Sequence, residues 1–124
     1  MLPETTWLPV GDLEAAETVL SKEETAAVIL EPIQSIAGMK EIPADYVQGL
    51  RALCDEYGTL LAFDEVQTGV GRTGTFSMAE QLGATPDLIS LAKSLGTGVP
   101  VSAVLVDDAV AATVESGDQG STYG

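Results

Sequence analysis

Two short apolar runs, each ending on a charged side chain, restrict this chain to a small set of folds. Leu60-Leu-Ala-Phe63 delivers Asp64 and then breaks into Glu65-Val-Gln-Thr-Gly-Val-Gly-Arg-Thr-Gly74. Leu88 to Ala92 delivers Lys93, 29 residues after Asp64, and turns at once into Ser-Leu-Gly96. Runs this short, bounded by glycine, read as buried strands rather than helices. In open α/β sheets the functional groups gather at the carboxyl ends of such strands. Lysine occurs only at positions 22, 40 and 93, and Lys93 sits against apolar neighbours. A carboxylate and a poorly solvated lysine on adjacent strand ends suggest a Schiff-base site. The acid there would serve the ring nitrogen of pyridoxal phosphate.

The rest of the chain alternates helix and strand. Asp12 to Leu20 reads as a helix, with Asp12 as N-cap and Leu13, Ala16 and Leu20 on one face. Ala26 to Leu30 is a strand ending at Glu31-Pro32. Pro43 opens a helix running to about Tyr57, with Tyr46, Val47, Leu50, Leu53 and Cys54 at helical spacing, and Gly58 stops it. A short helix is expected over Phe76 to Leu82 and a strand over Ser102 to Val106. Asp107 or Asp108 then caps a helix through Val114. The expected class is α/β, a mostly parallel sheet flanked by helices.

Composition excludes several functions. Nineteen acidic side chains face five basic ones, a net charge of −14, which argues against nucleic acid and anionic membranes as partners. An acidic surface of this kind is compatible with a high-salt host. The chain has no histidine, so His-based triads and His metal sites are absent, and no metal is expected. The start, Met-Leu-Pro-Glu-Thr-Thr, lacks the basic and apolar regions of a signal peptide. A single cysteine, Cys54, rules out an internal disulfide and suits a reducing, cytoplasmic compartment. At 45% hydrophobic residues a real core is expected. The polar stop at Ser121-Thr-Tyr-Gly124, and the want of a strand before so apolar a sheet, suggest a piece of a longer protein.

Two motifs mislead. Gly69-Val-Gly-Arg-Thr-Gly74 matches the dinucleotide pattern G-x-G-x-x-G, but its first glycine comes five residues after Asp64. The acid expected roughly 20 residues further on is also missing. The same stretch resembles the phosphate loop of tyrosine phosphatases, yet the thiolate position six residues before Arg72 is Val66. A structural glycine turn outranks both.

Five blocks in order resemble the class III pyridoxal-phosphate-dependent aminotransferases, the ornithine, acetylornithine and ω-amino-acid group. They are Glu31-Pro-Ile-Gln34, Leu53-Cys-Asp-Glu56, Asp64-Glu-Val-Gln-Thr-Gly69 with Gly71-Arg-Thr-Gly74, Pro86-Asp87 with Ala92-Lys93, and Gly120-Ser-Thr-Tyr-Gly124. Blocks in register over nearly the whole chain are far more specific than any one of them. The resemblance implies Lys93 as the lysine bonded to the cofactor and as proton shuttle, and Asp64 as the partner of the ring nitrogen. It implies Gln67 beside the ring hydroxyl, Glu31 behind the cofactor, and Thr122 on the phosphate from the other subunit of a homodimer. Glu65 reads as a local hydrogen-bonding group and Arg72 as structural. Cys54 falls inside a helix as a packing residue. The resemblance further implies a fold-type I large domain of which residues 1–124 are the central part. The N-terminal segment, with its phosphate loop and stacking aromatic, and the C-terminal small domain would lie outside it.

Two departures bear on substrate. Many ornithine and 4-aminobutyrate transaminases of the family it resembles carry glutamate two residues after Glu-Pro-Ile-Gln, where it pairs with an arginine that receives the 2-oxoglutarate carboxylate; this chain has Ile36. Histidine is frequent before Gly120, where this chain has Gln119. The expected parent moves an amino group from an amine donor to an oxo-acid, with 2-oxoglutarate as the acceptor. The alternatives are a dialkylglycine decarboxylase-like enzyme, an aminomutase, or a non-catalytic α/β fragment.

Overall fold

A computed structural model describes residues 4–118. Strand β4 (Leu60–Asp64) lies inside a four-stranded sheet ordered β1-β4-β5-β6, with β1 (Ala27–Leu30), β5 (Leu88–Leu91) and β6 (Ala103–Val106). β1 and β5 flank β4 in parallel, pairing Leu30 with Phe63 and Asp64 with Ser90. β6 runs antiparallel to β5. The sheet is therefore mostly parallel, with one reversed edge strand.

Strand alternation sends Leu61 and Phe63 to one face, where both are buried, together with their register partners Val28 and Leu30. That face carries α2 (Ala44–Tyr57), whose Tyr46, Val47, Leu50 and Cys54 are buried at helical spacing. α1 (Leu13–Leu20) closes the same core through Ala16 and Leu20. Fully burying a side chain such as Phe63 or Leu50 contributes ~2 kcal/mol. Helices α1 and α2 cross closely, since a Cβ at Gly49 would stand 2.4 Å from a methyl of Leu13. The other sheet face is largely uncovered: Ile29 is 72% exposed, and Val104 and Val106 are also exposed.

The caps follow the sequence signals. Asp12 accepts a hydrogen bond from the Ala15 N–H at 2.9 Å. Pro43 precedes α2, and Gly58 ends it in the left-handed conformation at φ 64°. Cys54 is 1% exposed and free. Burial pushes its thiol up to about 11, so it is a packing group.

Two expectations are corrected, and one element appears that the sequence reading did not contain. α4 spans only Asp108–Ala111 and stops short of Val114. None of its residues is buried, and Thr113 and Val114 are poor helix formers, so neither packing nor propensity extends it. α3 spans Ala79–Leu82 instead of starting at Phe76. A small antiparallel hairpin, β2 (Ile33–Gln34) with β3 (Lys40–Glu41), fills the stretch after Glu31. Ile36 stands fully exposed between its strands. Among the described residues no helix is long and apolar enough to cross a membrane.

Candidate active site

The carboxyl edge of the parallel strands gathers most of the candidate residues. Glu31 follows β1 directly, one step past the Leu30–Phe63 pair, and is half-buried. Asp64 ends β4, also half-buried. Beyond β5 the chain enters a 3₁₀ turn, Lys93–Leu95, and Lys93 takes the left-handed conformation at φ 47°. That conformation is unusual for a residue with a Cβ and costs strain that surrounding contacts must hold. Asp64 and Lys93 thus leave neighbouring strands at one edge.

Consecutive carboxylates on a strand part company. Asp64 shares its face with Leu60 and Ala62, whereas Glu65 continues the Leu61–Phe63 side into the interior. Glu65 is 1% exposed and anchors the loop that follows. Its carboxylate accepts from Thr68 Oγ1 at 3.1 Å, from the Ser77 hydroxyl, and from the Met78 N–H at 3.0 Å to each oxygen. This local hydrogen-bonding role matches its sequence reading. The anchored loop folds back on itself through Val70 N–H to Phe76 C=O at 2.8 Å and Gly71 N–H to Thr75 C=O at 3.1 Å.

That loop reaches the lysine turn at two points. Gln67 Oε1 accepts a hydrogen bond from Lys93 Nζ. Arg72 Nη2 donates to Ser94 Oγ at 2.6 Å, which gives Arg72 a structural contact. The far side of the turn is tight as well. A Cβ at Gly96 would stand 1.9 Å from the Val99 carbonyl oxygen, a backbone atom that cannot move aside. A depression of about 410 Å³ lies next to Lys93, lined by Ala92, Val99, Pro100, Val101 and Ser102.

Asp64 is held on one oxygen. Its Oδ1 accepts from the Val66 N–H at 3.1 Å and from Ser90 Oγ at 3.1 Å. No hydrogen bond among the described residues falls on Oδ2. An acid with one oxygen fixed and the other free, facing the same edge as a primary amine and an amide, suits a protonated ring nitrogen at one end of a pyridine and a carbonyl at the other. The residues present therefore fit the ring of pyridoxal phosphate. The poor solvation expected of Lys93 is not found. Leu91 turns into the core, Ala92 is half-buried, and Lys93 itself is exposed. Apolar neighbours in sequence lie on the strand, and the amine projects beyond it. Thr122 and Gln119 lie outside the described residues.

Ser90, Ser94 and the burial of Glu65 carry more of the edge than their sequence context suggested. A serine inside the otherwise apolar run Leu88–Ala92 was the one available signal for the first.

Known proteins resemble this chain along nearly its whole length. The family model for class-III aminotransferases matches residues 8–124. The acetylornithine aminotransferase of Methanopyrus kandleri is 48% identical over 124 residues, all of this chain and 32% of that protein. The structure of Plasmodium falciparum ornithine delta-aminotransferase superposes with a TM-score of 0.89 at 41% identity, covering 100% of this chain and 32% of that one. Toxoplasma gondii ornithine aminotransferase superposes with a TM-score of 0.82 at 38% identity, covering 91% of this chain and 27% of that one. It is described with partial occupancy of pyridoxal phosphate at its active site. The chain spans about a third of the length of these relatives.

Proposed function

The chain belongs to the class-III aminotransferases, and from that membership we propose that it is the central part of the cofactor-binding large domain of such an enzyme. The enzyme would move an amino group from an ornithine, acetylornithine or ω-amino-acid donor to an oxo-acid, 2-oxoglutarate. The names of the relatives support the donor class, and the shared edge of Asp64, Gln67 and Lys93 supports the chemistry. The N-terminal segment and C-terminal small domain of the longer enzyme would supply the remaining phosphate and carboxylate contacts. A homodimer and a cytoplasmic location complete the reading; the lone cysteine, buried as a thiol, supports the latter.

Bound pyridoxal phosphate supplies a carbonyl that condenses with amines and a ring that accepts the electrons released from the substrate carbon. Lys93 would hold the cofactor covalently through Nζ and, once displaced by substrate, move a proton with the same atom. Asp64 would keep a proton on the ring nitrogen. Gln67, which here accepts from Nζ, would stand beside the ring hydroxyl. Glu31 would support the cofactor from behind, and Thr122 would reach its phosphate from the partner subunit. Exposure of Lys93 in this chain means that the desolvation a nucleophilic amine benefits from must come from the rest of the enzyme.

The observation that carries the reading is the juxtaposition of Asp64 and Lys93 at one sheet edge. Reducing the full-length holoenzyme with borohydride and mapping the labelled peptide tests it. The label is expected on Lys93. A label spread evenly over Lys22, Lys40 and Lys93, or placed on either of the first two, would overturn the assignment.

A further inference from the structure

We propose that Ser90 is a positioning residue for Asp64, setting the acid relative to the strand that leads to Lys93. Ser90 is the register partner of Asp64 across the parallel β4–β5 pair. Its hydroxyl donates to Asp64 Oδ1 at 3.1 Å. Its main-chain carbonyl accepts from the Glu65 N–H at 3.0 Å, so one residue of β5 grips two successive residues of the loop root.

The other hydrogen bond to Oδ1 comes from the Val66 N–H, two residues along the same loop. That bond moves with the loop and cannot place the acid against anything else. The Ser90 hydroxyl is the one hydrogen bond from the Asp64 carboxylate to another strand among the described residues. Three residues further on, β5 delivers Lys93. The distance between acid and amine is what a rigid ring spanning them would read, so a tie between the two strands at this level sets it.

On this open sheet face the Ser90 hydroxyl is turned to Asp64 rather than left to solvent alone. β5 reads Leu88-Ile-Ser-Leu91, and an apolar residue at position 90 would continue the sheet face that carries Leu60, Ala62 and Leu88. An aspartate side chain has three staggered χ1 wells and a broad χ2. Two donors on one oxygen select one arrangement and leave Oδ2 free. Removing the Ser90 donor returns the carboxylate to several arrangements while its local bond to Val66 stays available.

The consequence for catalysis rests on the aminotransferase reading, whereas the geometry does not. The test therefore uses the cofactor-free chain. In protein labelled with 13C and 15N, three-bond couplings from the Asp64 carboxyl carbon to its own nitrogen and carbonyl carbon report χ1. Single-rotamer couplings are expected in the native chain. Ser90→Ala should lose them to averaged values, and Ser90→Thr, which keeps the hydroxyl, should restore them. Ser90→Cys, nearly the shape of serine with a much weaker donor, should behave as the alanine variant does and supplies the same reading if that variant does not fold. Single-rotamer couplings persisting in Ser90→Ala or Ser90→Cys overturn the proposal, and so does failure of Ser90→Thr to restore them. If the variants behave as expected but Lys93 of the full-length enzyme takes up no pyridoxal phosphate, the functional reading falls and the positioning role stands.

Discussion

Glu65 shows how much one position can depend on its neighbours in space. Three donors, Thr68, Ser77 and the Met78 N–H, converge on a carboxylate that is 1% exposed. Glu65→Ala leaves all three buried without a partner and should cost ~3 kcal/mol of stability or more. Glu65→Gln replaces an oxygen that accepts with an amide nitrogen that donates toward other donors, and should lose a large part of the same amount. Urea unfolding of the two variants checks this; a midpoint unchanged in Glu65→Ala would show the network to be incidental. Cys54 makes the opposite case. Burial raises its thiol to about 11, so at pH 8 it stays protonated and should react with a disulfide reagent far more slowly than in the unfolded chain. Equal rates with and without denaturant would contradict that burial.

Among the elements, the clamp between α2 and the start of β5 decides how the helix sits on the sheet. Arg51 of α2 pairs with Asp87 at 2.8 Å and with Asp55, one turn along its own helix, at 2.6 Å. Asp87 also accepts from the Leu61 N–H of β4 at 2.7 Å. Burial raises the Asp87 carboxyl, but the Leu61 N–H and the Arg51 guanidinium outweigh it and hold the group below its ordinary value. A depressed carboxyl stabilises the fold fully above its unfolded value of ~3.9 and loses that contribution as pH falls through the lower folded value. The native chain should therefore lose stability below about pH 4. Asp87→Ala should flatten that part of the profile and cost ~2 kcal/mol at neutral pH, because it also leaves the Leu61 N–H without its acceptor. Urea midpoints measured from pH 3 to pH 7 give both numbers; an undiminished acid limb in Asp87→Ala would remove the clamp from the account.

At the level of the whole molecule, the chain spans about a third of the length of its relatives, and on the proposed reading it carries one edge of a site. Lys93 is exposed, and one face of the sheet lies open at Ile29, Val104 and Val106. A dianionic phosphate also meets a net charge of −14. The 124-residue chain should bind pyridoxal phosphate weakly at best and catalyse no amino transfer. Titration followed by visible absorbance, with an assay using ornithine and 2-oxoglutarate, checks both. Stoichiometric micromolar binding with measurable transfer would show the edge to be sufficient alone.

Local signals determined what was legible in the amino-acid sequence. Helical spacing located α2, Asp12 and Gly58 marked helix ends, and the two apolar runs announced the strands that lead to Asp64 and Lys93. Each depends on residues within a turn or two of one another, so the order of side chains suffices. The reversed edge strand, the Ser90–Asp64 bond and the exposure of Lys93 depend on register between segments 12 or more residues apart, or on where a turn projects. Pairing of distant strands is decided by the packing of the whole sheet against α1 and α2, and only the tertiary structure holds that information.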